Sequence, residues 1–441
     1  MNNAREIATK IVCDVFKNKS YSNILLGVEL NKSNLNELDK SLVTEIVYGT
    51  IKYKYSIDKI IENYTGKNFK KLDNFVLNVL RISIYQIRYL DKIPDFAVVN
   101  EAVNLTKKNV SIGASKLVNG VLRNYLRNKD KNYCDGNEIE KLSFQSSFPT
   151  WLTKHFINDY GKEVGKKILN GLNERPAITV RVNSLKGDYD EVYEKLESYN
   201  YVISEGYVAP EAIRIINGKN IENNPLFSQG YITVQDESAM LVAPSMELEE
   251  NLNVLDLCSA PGGKTTHISE IMNNTGKVLA LDIYEHKLDL ISDNVKRLGI
   301  KNIKTNIQDA TIFNDNFKDK FHRVLIDVPC SGLGIIRKKP EIKYNKTPKD
   351  LKEIVKIQKQ ILENAAKYVK NNGYILYSTC TLNKMENENN IEEFLRKNKN
   401  FKVEKLFFGN VDNIIYNDLG VSILPNEYMD GFFITKIKRI G

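Results

Sequence analysis

The sequence predicts an α/β domain on a mostly parallel sheet, preceded by an all-helical domain and a small α+β connecting element. Three observations lead there. From about Asn253, short apolar strands alternate with amphipathic helices, the pattern of a parallel sheet covered on both faces. Residues 1–128 instead keep helical spacing of their apolar positions, with no strand-like alternation. At 441 residues the chain exceeds what one hydrophobic core usually serves, so two or three domains are expected.

In REIATKIVCDVF the apolar residues Ile7, Ile11, Val12 and Val15 recur at helical spacing. DKSLVTEIVYGTIKYKYSIDKII and FVLNVLRISIYQIRYL continue the pattern, with Asp39 and Ser41 as candidate caps. Pro94 breaks the chain, Asp95 can cap FAVVNEAVNLTKK, and SKLVNGVLRNYLRNK closes the helical domain at about residue 130. Residues 131–147 are polar and read as a linker. Residues 148–240 read as the connecting element: a helix at WLTKHFINDYG, a strand at AITVRVN, a helix at YDEVYEKLESY and a strand at YITVQDES. Residues 241–441 carry the alternating region, from NVLDLC through VLALDI, IKTNIQDA, RVLIDVPC and YILYSTCT to GFFITKIKR, a last, antiparallel edge strand.

Hydrophobic content of 42% and charged content of 27% are those of a soluble globular protein. No apolar run approaches the ~18 residues a membrane span needs, and the start lacks a signal-peptide core. A cytoplasmic location is expected. Five widely spaced cysteines without a CxxC pair argue against a disulfide framework or a structural zinc site. Four histidines without ligand spacing add no metal site. Of the net charge of +8, residues 1–140 hold most, with 22 Lys and Arg against 16 Asp and Glu. That excess suits a polyanion such as nucleic acid.

DLCSAPGGKTTHI follows the first strand of the alternating region and opens a helix. Pro261, Gly262 and Gly263 let the backbone turn tightly against a ligand, and the helix N-terminus favours an anion. A P-loop would need Gly where Cys258 stands, and Ser259-Ala260-Pro261 replaces the early glycines of a dinucleotide fingerprint. Asp282 ends VLALDI about twenty residues on, where a carboxylate can take both ribose hydroxyls. Asp309, in IKTNIQDA, can meet the base of the same nucleoside. A nucleoside with a carboxylate tail and no pyrophosphate describes S-adenosylmethionine. The candidate donor site is therefore Cys258, Ser259, Ala260, Pro261, Gly262, Gly263, Lys264, Asp282 and Asp309.

LIDVPCSG and LYSTCT each end an apolar run on a cysteine, Cys330 and Cys380. Two thiols at strand ends beside a donor site suit nucleophilic chemistry better than packing. Here the chain resembles a known family. NVLDLCSAPGGKTTHI, DVPCSGLGIIRKKPEIKY, YSTCTLNKMENENNIEEFL and LPNEYMDGFFITKIKR are similar to motifs of the Sun/Fmu RNA (cytosine-C5) methyltransferases. With the helical domain in front, the likeness is to the bacterial RsmB branch, and LVTEIVYGTIKY and SKLVNGVLRNYLR resemble NusB, an RNA-binding module.

The resemblance implies a Rossmann-like S-adenosylmethionine-dependent methyltransferase with a seven-stranded sheet, behind a NusB-like domain. It implies methylation of C5 of a cytosine in 16S ribosomal RNA, unassembled or partly assembled, by a monomer. Cys380 would attack C6, because a thiolate there makes C5 enamine-like; Cys330 would serve release. Asp327 would hold the N3 or N4 edge of the base, close to the donor. Arg337, Lys338 and Lys339 would suit RNA phosphates. The base must leave its stack to meet both thiols. Relatives acting on transfer RNA share the cysteine motifs, and a NusB-type RNA-binding factor with a vestigial catalytic half is the reading from another class.

Overall fold

The computed structural model describes residues 4–441, which divide into two units. Unit 1 holds the chain up to Asn173 together with Ile336–Asn345; unit 2 holds Glu174–Ile335 and Lys346–Gly441.

Unit 1 is helical: α1 (Ala4–Asn18), α2 (Ser22–Lys32), α3 (Glu37–Lys52), α4 (Lys54–Thr65), α5 (Asn74–Tyr89), α6 (Asp95–Asn109), α7 (Ile112–Arg127), α8 (Glu138–Ser146), α9 (Thr150–Tyr160) and α10 (Lys162–Gly171). Its centre is α5, where Asn78–Ile87 are buried one after another. A helix buried on every face must be apolar or satisfy its polar groups locally. Arg81 does so, donating from Nε and Nη2 to the Asp58 carboxylate at 2.6 and 2.9 Å. Asn36, rather than Asp39 or Ser41, caps α3, its Oδ1 accepting from the Asp39 N–H at 2.8 Å. Asp39 lies within the first turn, where its charge suits the helix dipole.

The stretch 131–147, expected as a linker, contains α8. Asn137 and Glu140 exchange side-chain bonds with each other's N–H at 3.1 and 2.9 Å, a reciprocal cap that holds a short, polar helix. Helices α9 and α10 also belong to unit 1, and the strands of the connecting element begin with β1 after Asn173. Phe148, Leu152 and Phe156 are fully buried, which binds this stretch into helical packing.

Unit 2 begins with a four-stranded antiparallel sheet in the order β2-β3-β1-β4, formed by β1 (Ile178–Val182), β2 (Val202–Glu205), β3 (Ala212–Asn217) and β4 (Ile232–Val234), with α11 (Tyr189–Ser198) and the short α12 (Pro225–Ser228) and α13 (Glu237–Met240). VISE and AIRIIN carry too little alternation to have been read as strands. Then follow β5 (Asn253–Asp256), α14 (Gly263–Ile271), β6 (Lys277–Asp282), α15 (Glu285–Leu298), β7 (Ile303–Ile307) and β8 (Phe321–Asp327). After the unit 1 segment, which contains α16 (Ile342–Asn345), come α17 (Pro348–Tyr368), β9 (Val369–Thr379), α18 (Glu388–Lys397), β10 (Phe401–Glu404), β11 (Ile414–Asn417), β12 (Gly420–Ile423) and β13 (Phe432–Arg439).

These strands make a nine-stranded sheet, β11-β12-β13-β9-β8-β5-β6-β7, with β10 also on β13. The five strands β7-β6-β5-β8-β9 are parallel. The two strands beyond the seven expected are β11 and β12, a hairpin on β13. GFFITKIKR is antiparallel as expected but interior: β9 lies on one side of β13, β12 and β10 on the other. That is why its side chains are buried on both faces, Phe432 and Ile434 in one core, Phe433 and Ile437 in the other. The same alternation sends Leu255, Val324 and Ile375 to one core and Val254, Leu325 and Leu376 to the opposite one.

The segment Ile336–Asn345 is held within unit 1 by two buried side chains and one half-buried one. The Glu341 carboxylate accepts from Ser22 N–H and Oγ–H at 2.9 Å each. Lys343 Nζ donates to Lys52 O, Ser147 O and Asn173 Oδ1 at 3.1, 3.1 and 2.9 Å and sits 3.6 Å over the Phe148 ring. Burial pushes the Lys343 pKa well down. The Tyr344 hydroxyl accepts from Tyr55 N–H at 3.1 Å. Arg337 is buried here and Lys339 Nζ lies 4.9 Å over the Tyr21 ring, so the basic run expected to hold phosphates is partly committed to packing. Among the described residues no helix is long and apolar enough to cross a membrane.

Candidate active site

β8 and β9 are adjacent and parallel, with Asp327 in register with Ser378. Cys330 follows the end of β8 and Cys380 the end of β9, so parallel pairing delivers both thiols to one sheet edge. Their sulfurs stand 3.2 Å apart. The Cys330 thiol is pushed well above its ordinary range, first by its hydrogen bond to Cys380 Sγ, then by burial and by the charges of Cys380, Glu386 and Asp327. Cys330 therefore keeps its proton at neutral pH.

Asp327 joins the thiol pair to the donor loop. Its Oδ2 accepts from Lys264 Nζ at 2.6 Å and its Oδ1 from Ser378 Oγ at 2.7 Å. Burial alone would lower the Lys264 pKa; Asp327, Cys380 and Asp256 raise it overall, so the ammonium stays charged. Lys264, expected on the donor, gives one of its three N–H groups to Asp327.

The donor loop turns at Gly262, whose φ of +102° is a left-handed conformation that favours glycine. Ser259 is pinned by its N–H and Oγ–H to Leu281 O at 2.9 and 2.8 Å. Pro261 O accepts from Asn294 Nδ2 at 3.1 Å. Ala260 N–H donates to Asp282 Oδ2 at 3.3 Å and Tyr284 N–H to Asp282 Oδ1 at 3.2 Å, which fixes that carboxylate at the end of β6. Asp309 Oδ1 accepts from both Thr311 N–H and Oγ–H at 2.8 and 2.7 Å, and its Oδ2 has no hydrogen-bond partner among the described residues. Cys258 is half-buried and packs against the core, and its thiol is pushed well up by desolvation and by the charges of Asp256, Asp327 and Asp282.

These residues fit a nucleoside-bearing donor. A Cβ at Gly263 would meet nothing nearer than Gln235 at 3.9 Å, so the helix N-terminus faces open space. The buried Asp256 Oδ1 has no hydrogen-bond partner among the described residues. Asp282 would take the ribose, Asp309 the base, and the loop before α14 the charged tail. Among the described residues no three His, Cys, Asp or Glu side chains gather as a metal site requires.

Sequence reasoning missed Asp256, Ser378 and Glu386. Asp256 is pushed up to about 7, chiefly by burial, and accepts from Thr265 Oγ at 2.6 Å. The only signal for it was an acid inside the apolar run NVLDLC. Glu386 follows Cys380 by six residues in a stretch of Asn and Glu that reads as helix surface, yet it is fully buried.

A donor loop and a thiol pair on the same strand ends place the chain among the S-adenosylmethionine-dependent methyltransferases, and comparison with known proteins agrees. The family model described as 16S rRNA methyltransferase RsmB/F matches residues 243–438. The NusB family model matches residues 2–127, and the ferredoxin-like domain of RsmF/B-like methyltransferases matches 148–222. The chain is 36% identical to the probable ribosomal RNA small subunit methyltransferase B of Bacillus subtilis (strain 168), over 99% of each chain. It is 31% identical to ribosomal RNA small subunit methyltransferase B of Shewanella oneidensis, again over 99% of each. The crystal structure of PH0851 superposes with a TM-score of 0.84 at 26% identity, covering 100% of this chain and 99% of that one. The chain belongs to the ribosomal RNA small subunit methyltransferase B family.

Proposed function

We propose that the protein methylates C5 of a cytosine in 16S ribosomal RNA through a transient bond between Cys380 and C6 of the base. The observation that carries this is the 3.2 Å approach of two sulfurs at the ends of adjacent parallel strands, with Asp327 and Lys264 between them and the donor loop. Membership of a small-subunit ribosomal RNA methyltransferase family supports the substrate class. S-adenosylmethionine supplies an electrophilic methyl group.

The Cys380 thiolate, beside the fixed Lys264 ammonium, adds to C6 and breaks the ring's aromaticity. A carboxylate offers about four lone-pair sites. Asp327 spends two on Lys264 and Ser378 and keeps the others for the N3 or N4 edge of cytosine, where charge shifts as C6 is attacked. C5 then takes the methyl, a base removes the C5 proton, and the C6–S bond breaks to return the thiolate. Cys330, held as a thiol against Cys380, serves this release. Unit 1, which carries the basic excess, holds the surrounding RNA by its phosphates.

Cys330→Ala should accumulate an RNA–protein adduct that survives denaturing electrophoresis, while Cys380→Ala should form none. The reverse pattern overturns the roles. RNA containing 5-fluorocytidine should trap the wild-type enzyme at Cys380, and its failure to do so refutes the covalent route. Mass mapping of methylated cytosines in 16S RNA from a deletion strain tests the substrate.

A further inference from the structure

Glu386 is fully buried, and its carboxylate accepts four hydrogen bonds. Ser331 N–H donates to Oε2 at 2.9 Å and Ser331 Oγ–H to Oε1 at 2.5 Å. Gln358 Nε2 on α17 donates to Oε2 at 2.9 Å and Asn383 Nδ2 to Oε1 at 2.9 Å. Ser331 adjoins Cys330, and its hydroxyl also meets Thr381 Oγ, adjoining Cys380, at 2.8 Å. Gln358 makes a second bond to Pro329 O at 3.0 Å, on the other flank of Cys330. On the Cys380 side the Tyr377 hydroxyl donates to Glu386 O at 2.5 Å.

We propose that Glu386 is a positioning residue for both thiols: its carboxylate pins the loop that carries Cys330 to the loop that carries Cys380 and so sets the separation of the two sulfurs. The inference rests on the covalent two-thiol reading and deepens it. Two loops follow different strands; beyond the strand ladder the backbone joins them through Gly334 N–H to Cys380 O at 3.0 Å, and Ser331, beside Cys330, is left to the Glu386 carboxylate. A buried anion is tolerated where donors surround it, and here four neutral donors converge on two oxygens from both loops and from α17. A carboxamide of the same shape offers one acceptor oxygen and an NH2 group, so donors on one side lose their acceptor and the loops part. Charge adds a second effect. The ionisable groups facing Cys330 are Cys380, Glu386, Asp327 and Tyr377, with Lys264 on the far side of Asp327. Glu386 is one of the acids that hold the Cys330 proton in place.

The test uses full-length enzyme, RNA containing 5-fluorocytidine, and the variants Glu386→Gln and Ser331→Ala. Adduct formation should slow about 100-fold in Glu386→Gln, the scale expected for a misplacement near 1 Å, and turnover on unmodified RNA should slow about 10-fold in Ser331→Ala, whose loop carries the release thiol. The dissociation constant for S-adenosylmethionine should stay within about twofold, because no bond of Glu386 reaches the donor loop. The alkaline limb of the pH–rate profile should move to lower pH in Glu386→Gln, since removing a negative charge eases loss of the Cys330 proton. A purely structural role would leave that limb in place, and an unmoved limb overturns the proposal. So do adduct rates within about twofold of wild type, or donor affinity that falls in step with the rate. If Glu386→Gln does not fold, Ser331→Ala decides: slowed turnover on unmodified RNA with intact donor binding supports the proposal, and a wild-type turnover rate overturns it. Failure of the wild-type enzyme itself to form adduct would instead sink the covalent reading.

Discussion

Replacing Arg181 by alanine strips a buried carboxylate of its cation. The Arg181 side chain is 0% exposed and that of Glu270 2%. Arg181 Nε and Nη2 donate to Glu270 Oε2 and Oε1 at 3.0 and 2.8 Å, a bidentate pair that joins β1 to α14. Nη1 also donates to Gly263 O at 2.9 Å and to Gln235, and Nη2 to Thr266 Oγ at 3.2 Å. Breaking one side of such a pair costs about 3–5 kcal/mol, because the remaining charge stays buried. At roughly 2–4 °C per kcal/mol for a unit of this size, the melting transition should fall by ~6–20 °C. Calorimetry of the full chain reads that shift. The single tryptophan, Trp151, lies on α9 of unit 1, so its fluorescence reads that unit. The double variant Arg181→Met with Glu270→Met should melt above either single variant, since no charge is then stranded. An Arg181→Ala melt within about 2 °C of wild type, or single effects that simply add, would refute the reasoning.

Two more perturbations have defined outcomes. Burial raises the Asp256 carboxyl from 3.8 to about 7, so the folded state holds a proton that the unfolded chain gives up, and its contribution to stability is lost between about pH 4 and 7. Asp256→Asn should therefore gain about 4 kcal/mol on wild type near pH 8 and nothing near pH 4 in urea denaturation; an equal difference at both would discard the assignment. A Cβ on Gly334 would fall 1.9 Å from Gly431 O and 2.9 Å from Cys380 O, both backbone, so Gly334→Ala must move the loops that hold the thiols. It should lose about 100-fold in turnover, while Gly27→Ala, with nothing within 4 Å, should lose none; wild-type turnover in Gly334→Ala would contradict the geometry.

Much of the site was readable because strand-end chemistry is local. Asp282, Asp327, Cys330 and Cys380 each end or follow a short apolar run, and a parallel sheet gathers such ends on one edge whatever else the chain does. The elements that escaped were those whose apolar content is thin. The helix α8 depends on a reciprocal cap, and β2 and β3 need their neighbours to become strands. Position along the chain also misled in one case. GFFITKIKR comes last and was expected at an edge, yet the β11–β12 hairpin and β10 fold back to cover it.

Local pattern alone therefore determined the alternation of strands and helices, the donor loop with its two aspartates, and the presence of two thiols at strand ends. Tertiary structure decided that Lys264 pairs with Asp327, that Arg337 and Lys343 are buried, and that Glu386 lies beneath both cysteines rather than on a helix surface. The physical reason is separation along the chain. Lys264 and Asp327 are 63 residues apart, and Ser331 and Glu386 are 55 apart. Such pairs leave no periodicity in the sequence, and they form only where packing removes water and leaves a charge with no other group to bind.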